Sequence, residues 1–186
     1  YFAMRKDDGA IGQAPYKFAT GAGIYQATPP MNANPVLSHW RNLRPFIVTG
    51  AKQFAWQGPP PPGSAAFARD FNEVKRVGGR ASTERTNEQT AIAIHWAGSE
   101  VPPFNAVARA TAAAKGLTLA DSARLFALLN MAMAVSLIAG FEAKYAVNSW
   151  RPVTAIRNAA LAANNAIAAD PAWEPLLVTP PHPEYL

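Results

Sequence analysis

Between Arg124 and Glu142 the sequence runs 17 residues without a charged side chain. A stretch this apolar must be covered by other parts of a protein or by lipid, and it is too long for an ordinary strand. Thr118 stands at its entrance with Asp121 three residues on, an N-cap pattern. The spacing predicts one helix running to about Val147, near 30 residues, or roughly 45 Å at 1.5 Å per residue. Asn130, Ser136 and Gly140 interrupt the run, and many of its apolar residues are small alanines. The expectation is therefore a helix buried on most sides inside a bundle rather than a membrane span.

Other helices are marked by caps and stops. Ser64 opens a helix through about Val77, closed by Gly78-Gly79. Ser82 begins a capping pattern, with a helix expected over Thr83–Ala97 and ended by Gly98. Within it, Ala91, Ile92, Ile94 and Trp96 recur at helical spacings. Pro102-Pro103 opens a helix to about Lys115, stopped by Gly116. A last helix is expected over Pro152–Ala169, before Asp170-Pro171. No repeat and no β-alternation is found, so the fold class is all-α, a helical bundle with an irregular N-terminal segment.

The domain reading is one partial domain over residues 1–186. Residues 1–63 are Gly- and Pro-rich and irregular, with a short element at Val36–Asn42, an apolar Phe46–Thr49 and a polyproline loop at Gly58–Gly63 that reads as a surface spacer. Residues 64–170 form the bundle, and 171–186 are again Pro-rich. With 186 residues, 49% of them hydrophobic, the chain can bury roughly 70% of its unfolded surface and is no disordered segment. It has no cysteine, which excludes a disulfide scaffold, thiolate metal sites and thiol catalysis. Its first residue is Tyr1, not Met, so the N-terminus is expected to be processed or incomplete.

The net charge is +5. The excess lies in residues 41–85, which carry Arg41, Arg44, Lys52, Arg69, Lys75, Arg76, Arg80 and Arg85 against Asp70, Glu73 and Glu84. These basic residues are spread over a loop and two helices, without interleaved aromatics on one element. That points to a solvated basic face and away from a nucleic-acid partner. Steering of a small anionic substrate stays open. His39, His95 and His182 lack a second ligand at helical spacing, so no metal pair is expected. No Gly-x-Ser-x-Gly elbow and no complete phosphate loop occurs.

The chemically informative stretch is Lys144-Tyr-Ala-Val-Asn-Ser-Trp-Arg151-Pro152-Val-Thr-Ala-Ile-Arg157. Lys144 lies in the last turns of the long helix. Pro152 disfavours helical geometry at Arg151, so the chain should bend there and restart a helix at Pro152. Arg151 then stands beside a helix N-terminus, which favours an anion. Lys144 offers a point charge and Arg151 a planar fork suited to tetrahedral oxyanions. The competing reading pairs Lys144 with Glu142 or Asp170 and has Arg151 cap carbonyls. Spacing alone does not decide between them.

Lys-x6-Arg-Pro resembles the first of three motifs shared by vanadium-dependent haloperoxidases and type-2 phosphatidic acid phosphatases. Phe71–Lys75, Arg85-Thr86-x2-Gln89-Thr90, Ala123–Asn130 and Pro180-Pro-His-Pro-Glu-Tyr185 are similar to the bacterial vanadium haloperoxidase-like group, as are Thr28-Pro29-Pro30 and the Pro59–Pro62 loop. The resemblance implies a helical-bundle enzyme whose oxyanion pocket holds vanadate, or phosphate in its place, with hydrogen peroxide as cosubstrate in the peroxidases. It makes Lys144 and Arg151 the catalytic and cofactor-binding residues, hydrogen-bonded to the equatorial oxygens. The second motif (Ser/Gly/His) would begin at or just after Leu186, and the third, carrying the apical histidine, farther on. Neither is in the sequence. The chain as written would then show no turnover, and its partner would be the remainder of the same polypeptide or a homo-oligomer mate.

Two positions bear on substrate. His182 stands where algal members carry histidine and the fungal member phenylalanine, which implies a halide-proximal role and a bromoperoxidase-like pocket. Its other reading is a loop histidine bonded to backbone. Phe141 stands where those members carry arginine or tryptophan, and Val135 where many of the bacterial group have aspartate. The function implied is peroxide-driven halide oxidation. The alternatives are an acid phosphatase acting on phosphomonoesters and a silent helical scaffold. The resemblance also implies a secreted or periplasmic protein.

Overall fold

The computed structural model describes residues 2–12, 15–54, 58–98 and 101–184. Tyr1, Tyr185 and Leu186 lie outside the described residues. The helices are α1 (Phe2–Arg5), α2 (Ala65–Val77), α3 (Asn87–His95), α4 (Val101–Ala114), α5 (Leu119–Val147) and α6 (Pro152–Arg157), with 3-10 turns at Trp40–Asn42, Ala51–Phe54 and Ala159–Ala162. Among the described residues there is no β-strand, only isolated bridges. The all-α reading stands.

Caps explain the helix starts. The Ser64 hydroxyl accepts from the Phe67 N–H at 3.1 Å and opens α2. Thr118 accepts from the Asp121 N–H, and its own hydroxyl donates to the Asp121 carboxylate at 2.7 Å. The start of α3 departs from the sequence expectation. Ser82 caps a turn instead, accepting from the Glu84 and Arg85 N–H groups. The helix begins at Asn87, behind a reciprocal capping box between Thr86 and Gln89. The stronger box prevails because it satisfies two orphan donors at once.

The core lies between α2, α6 and the segment after it. Phe71, Trp150, Val153, Ala155, Ile156, Ala159, Ala162 and Trp173 form one buried cluster, with Phe67 and Ile167 against it. Each large side chain buried there contributes about 1.5–3 kcal/mol. The Trp173 indole N–H donates to the Lys75 carbonyl at 3.0 Å. Its ring lies so close to Gly79 that a Cβ there would stand 3.0 Å from the indole nitrogen. The expected helix Pro152–Ala169 is much shorter. It ends at Arg157, and after the 3-10 turn Ala163 takes a left-handed conformation. Asn164 then bonds the Pro62 and Ser64 carbonyls at 2.9 and 3.1 Å, so the polyproline loop is tied to the core. Val36–Asn42 is likewise reduced to the turn at Trp40–Asn42.

The long helix appears with the expected bounds, 29 residues, but it is not buried on most sides. Its buried residues are Val135, Ile138, Phe141, Glu142 and Tyr145, all in the C-terminal half. Only 22% of its most apolar window is buried. It is long and apolar enough to cross a membrane by length and composition alone. Yet the same helix carries the buried carboxylate of Glu142, and Asn130 exchanges amide hydrogen bonds with Asn105 on α4 at 3.1 and 3.2 Å.

Most of the basic excess is committed within the fold. Arg85 donates to the Val77 and Gly79 carbonyls at 2.7 and 2.6 Å and to the Thr90 hydroxyl at 3.0 Å, closing the end of α2. Lys75 holds the Ala168 carbonyl. Arg76 pairs with Glu84, Arg80 with Glu174 and Arg69 with Asp70. Arg41 grips Glu142 with two bonds, at 2.7 and 3.1 Å.

Candidate functional site

The backbone around Arg151 is clasped from both sides. Ser149 bridges to Ile24 and to Glu184. The Tyr25 N–H donates to the Asn148 carbonyl, the Trp150 N–H to the Gly23 carbonyl, and the Glu184 N–H to the Ser149 carbonyl, at 2.9, 2.9 and 3.0 Å. Asn148 turns the chain out of α5 in a left-handed conformation (φ 56°). That is a geometry asparagine tolerates better than most residues. The Asn148 side-chain oxygen accepts from the Tyr16 hydroxyl at 2.5 Å.

Pro152 starts α6 at its first position with Arg151 in extended conformation as N-cap, as the Arg-Pro pair requires. The helix is only six residues long, so little dipole is available to an anion. What holds Arg151 is its side-chain network. The residue is 7% exposed. Its Nε donates to the His182 carbonyl at 2.7 Å and Nη1 to the Glu184 carboxylate at 2.6 Å, while Nη2 faces the His182 ring, 2.8 Å from Nδ1 and 3.4 Å from Nε2. A guanidinium has five N–H donors. Among the described residues these contacts leave the second Nη1 N–H for another acceptor.

His182 is therefore a partner of Arg151. A guanidinium only donates, so the ring nitrogen facing it accepts and the imidazole is neutral. Burial pushes its pKa down to about 4; the bond with the Pro183 carbonyl opposes this, while the charges of Arg151 and Lys144 add to it. Nδ1 also lies 3.1 Å from the Pro183 carbonyl, so it donates to that oxygen in one tautomer, with Nε2 then facing Arg151 at 3.4 Å, and accepts from Arg151 in the other. The ring stands edge-on to Phe141, 5.5 Å between centroids. His39 faces the Ala10 carbonyl and His95 the Trp96 ring, in other parts of the fold.

Lys144 is half-buried on α5. Burial holds its ammonium below the ordinary lysine value; Glu184 opposes this and Arg151 adds to it. Lys144, Arg151, His182 and Glu184 thus share one electrostatic neighbourhood. Glu142 is gripped by Arg41, with Lys52 3.9 Å away. Asp170 instead accepts from the Ala172 N–H. The two cations border different grooves. Lys144 lines one of about 490 Å³ with Phe104, Leu129, Met133, Gly140 and Phe141. Arg151 and Glu184 line another of about 440 Å³ with Arg85, Gln89 and Leu177.

Glu184 is the residue that motif spacing left without a role. Its signal was an acid two residues after His182 in the same motif. Tyr25 was also overlooked. It is fully buried, its hydroxyl has no hydrogen-bond partner among the described residues, and it feels the charge of Arg151.

The donor set suits the oxygens of a tetrahedral or trigonal-bipyramidal oxyanion. Lys144 and Arg151 bring only donors, and among the described residues the second Arg151 Nη1 N–H remains. A vanadium-ligating nitrogen is a different matter. The His182 lone pair is directed at Arg151, and among the described residues no group of three or more metal-binding side chains occurs.

The chain is similar in sequence and fold to known vanadium haloperoxidases. Residues 124–186 match a family model described as the VCPO second helical-bundle domain. The chain is 28% identical over 199 residues to the vanadium chloroperoxidase of Curvularia inaequalis, covering 85% of this chain and 33% of that protein. Its structure resembles that of a bacterial vanadium-dependent iodoperoxidase with a TM-score of 0.68 and 27% identity, covering 88% of this chain and 40% of that one. The chain spans about a third of the length of the curated relative it matches. By motif, fold and sequence the chain resembles the vanadium haloperoxidases.

Proposed function

We propose that this chain supplies the cationic half of a vanadate site, and that the whole protein oxidises halide with hydrogen peroxide. The observation that supports this most is the buried Arg151, fixed by its contacts with His182 and Glu184 within the Lys144–Glu184 neighbourhood, with an Nη1 N–H left over. Its relatives are named as vanadium chloroperoxidase and iodoperoxidase.

Vanadate, when bound, would supply Lewis-acid activation of peroxide. The chain's own residues do the rest. Arg151 is held in place before any anion arrives, so little rotamer entropy is lost on binding. Lys144 and Arg151 place positive charge where oxygens gather negative charge, and half-burial makes that charge more effective than in water. His182, neutral against Phe141, adds no further charge to the approach of a halide.

The expected result is that the chain binds orthovanadate in a calorimetric titration. Arg151→Ala should weaken binding by roughly 100-fold or more, and Lys144→Ala by roughly tenfold. Unchanged affinity in Arg151→Ala would overturn the proposal. The chain alone is expected to show no turnover. Bromide-dependent halogenation by the 186-residue chain, requiring vanadate and peroxide, would show that the catalytic groups are already complete within it. Vanadate-inhibited hydrolysis of a phosphomonoester would instead favour the phosphatase reading.

A further inference from the structure

The groove that Arg151 lines has a second guanidinium in its wall. Arg85 borders the same space of about 440 Å³, with Gln89 of α3 beside it. The motif Arg85-Thr86-x2-Gln89-Thr90 fixes both side chains. Arg85 Nε donates to the Thr90 hydroxyl at 3.0 Å, and Nη1 to the Val77 and Gly79 carbonyls at 2.7 and 2.6 Å. The Thr90 hydroxyl in turn donates to the Thr86 carbonyl at 3.0 Å. One edge of the guanidinium is thus clamped. Its two Nη2 N–H groups have no hydrogen-bond partner among the described residues. Its charge also stands alone. The neighbouring Arg76 and Arg80 meet Glu84 and Glu174, whereas no carboxylate lies within ion-pair distance of Arg85 among the described residues.

Gln89 repeats the pattern. Its Oε1 accepts from the Thr86 N–H at 2.9 Å, and its amide N–H groups have no partner among the described residues. On Arg151 the second Nη1 N–H is left. Three side chains, each fixed by other bonds, therefore border one groove with N–H donors to spare. The other polar side chains of the lining are Thr179, whose hydroxyl donates or accepts, and Glu184, an acceptor 2.6 Å from Arg151 Nη1. The Trp173 N–H is spent on the Lys75 carbonyl, and the remaining side chains are apolar. Apolar surroundings strengthen the attraction of such donors for an anion. Donors already clamped lose little freedom when they bind one.

Resting on the oxyanion reading of Arg151, we propose that Arg85 and Gln89 are further anion-binding residues, and that a tetrahedral oxyanion sits in this groove between Arg85 and Arg151. Arg85 brings charge and two N–H groups, and Gln89 a neutral donor. Lys-x6-Arg-Pro names neither of them; the second motif supplies this wall of the site.

The test titrates the 186-residue chain calorimetrically with inorganic phosphate at low salt. Beside it stand Arg85→Ala, Gln89→Glu, Arg151→Ala and the double variant of the two arginines, each checked for folding by circular dichroism. Gln89→Glu keeps the capping box, because glutamate at that position accepts the same N–H, but replaces the amide donor by an acceptor. Its melting temperature should match that of the chain, and its phosphate affinity should fall by roughly tenfold or more. Arg85→Ala should weaken phosphate by roughly tenfold or more. The double variant should lose less than the product of the single losses, because both side chains meet one ligand. An Arg85 that only closes α2 gives another result: a lowered melting temperature, with phosphate bound by Arg85→Ala and Gln89→Glu as tightly as by the chain. That result would overturn the proposal, and so would strictly multiplicative losses in the double variant. If Arg85→Ala does not fold, Gln89→Glu decides alone, and unchanged affinity there counts against the assignment. The oxyanion reading fails differently. The chain then binds no phosphate, or Arg151→Ala binds it as well as the chain does, and the roles of Arg85 and Gln89 fall with it.

Discussion

At the scale of single residues, the fold places its charges in pairs whose partners are distant in sequence. Glu142 is 7% exposed and meets Arg41 with both carboxylate oxygens, while Lys52 lies 3.9 Å away. Glu142→Ala leaves a guanidinium that is only partly able to reach water. We expect a loss of about 1–3 kcal/mol in urea unfolding, below the full cost of a wholly buried pair because the Arg41 side chain is 31% exposed. His182 makes a pH prediction. Its pKa is depressed from 6.5 to about 4 in the folded chain. Between those values the unfolded state binds more protons, so stability rises with pH there. The contribution is complete above about pH 6.5 and is lost as pH falls toward 4, on the order of 2–3 kcal/mol at most. Melting temperature against pH should show this slope, and His182→Phe should flatten it. Lys144 and Arg151 were legible as candidates in the sequence because Lys-x6-Arg-Pro sets two cations on either side of a bend. Glu184 and Tyr25 were not, because the contacts that define them link residues 24–25, 149–151 and 182–184, and no local pattern records such meetings.

At the scale of elements, local chemistry set most helix ends. The Ser64 and Thr118 caps lie where the sequence puts them, and α5 has the expected bounds. Two elements were misread for the same reason. A helix continues until something better satisfies its backbone groups. For α3 the better arrangement is the Thr86–Gln89 box, with Arg85 turned back to the end of α2. For α6 it is tertiary: the Asp170 N–H reaches the Ile156 carbonyl and the Arg157 side chain the Trp173 carbonyl at 2.9 Å. Neither competitor is visible in helix propensity. Thr86→Ala should remove the box and cost about 1 kcal/mol, measured by chemical denaturation. Thr86→Ser should retain most of it.

At the scale of the whole molecule, packing is uneven. The residues of α5 buried in the fold all lie between Val135 and Tyr145, whereas Leu119 is 89% and Leu128 52% exposed. Hydrogen exchange in the chain should reproduce that gradient, with amides near Leu119–Leu128 exchanging by local opening and those near Ile138–Tyr145 protected to nearly the global stability. Uniform protection along α5 would contradict the gradient. The helix's length and apolarity were plain in the sequence. How much of it this chain covers was not, because coverage depends on what packs against it.

The clasp at Ser149 has a consequence for how the site comes into being. Ile24 and Ser149 are about 125 residues apart, and closing so long a loop is slow and entropically costly. During synthesis, Lys144 and Arg151 are made well before His182 and Glu184 exist to grip them. The Lys144–Arg151 cluster is therefore a late assembly, fastened by two outer threads that bear none of its positive charge. Trimming the first 25 residues should loosen it as surely as a change at Arg151 itself.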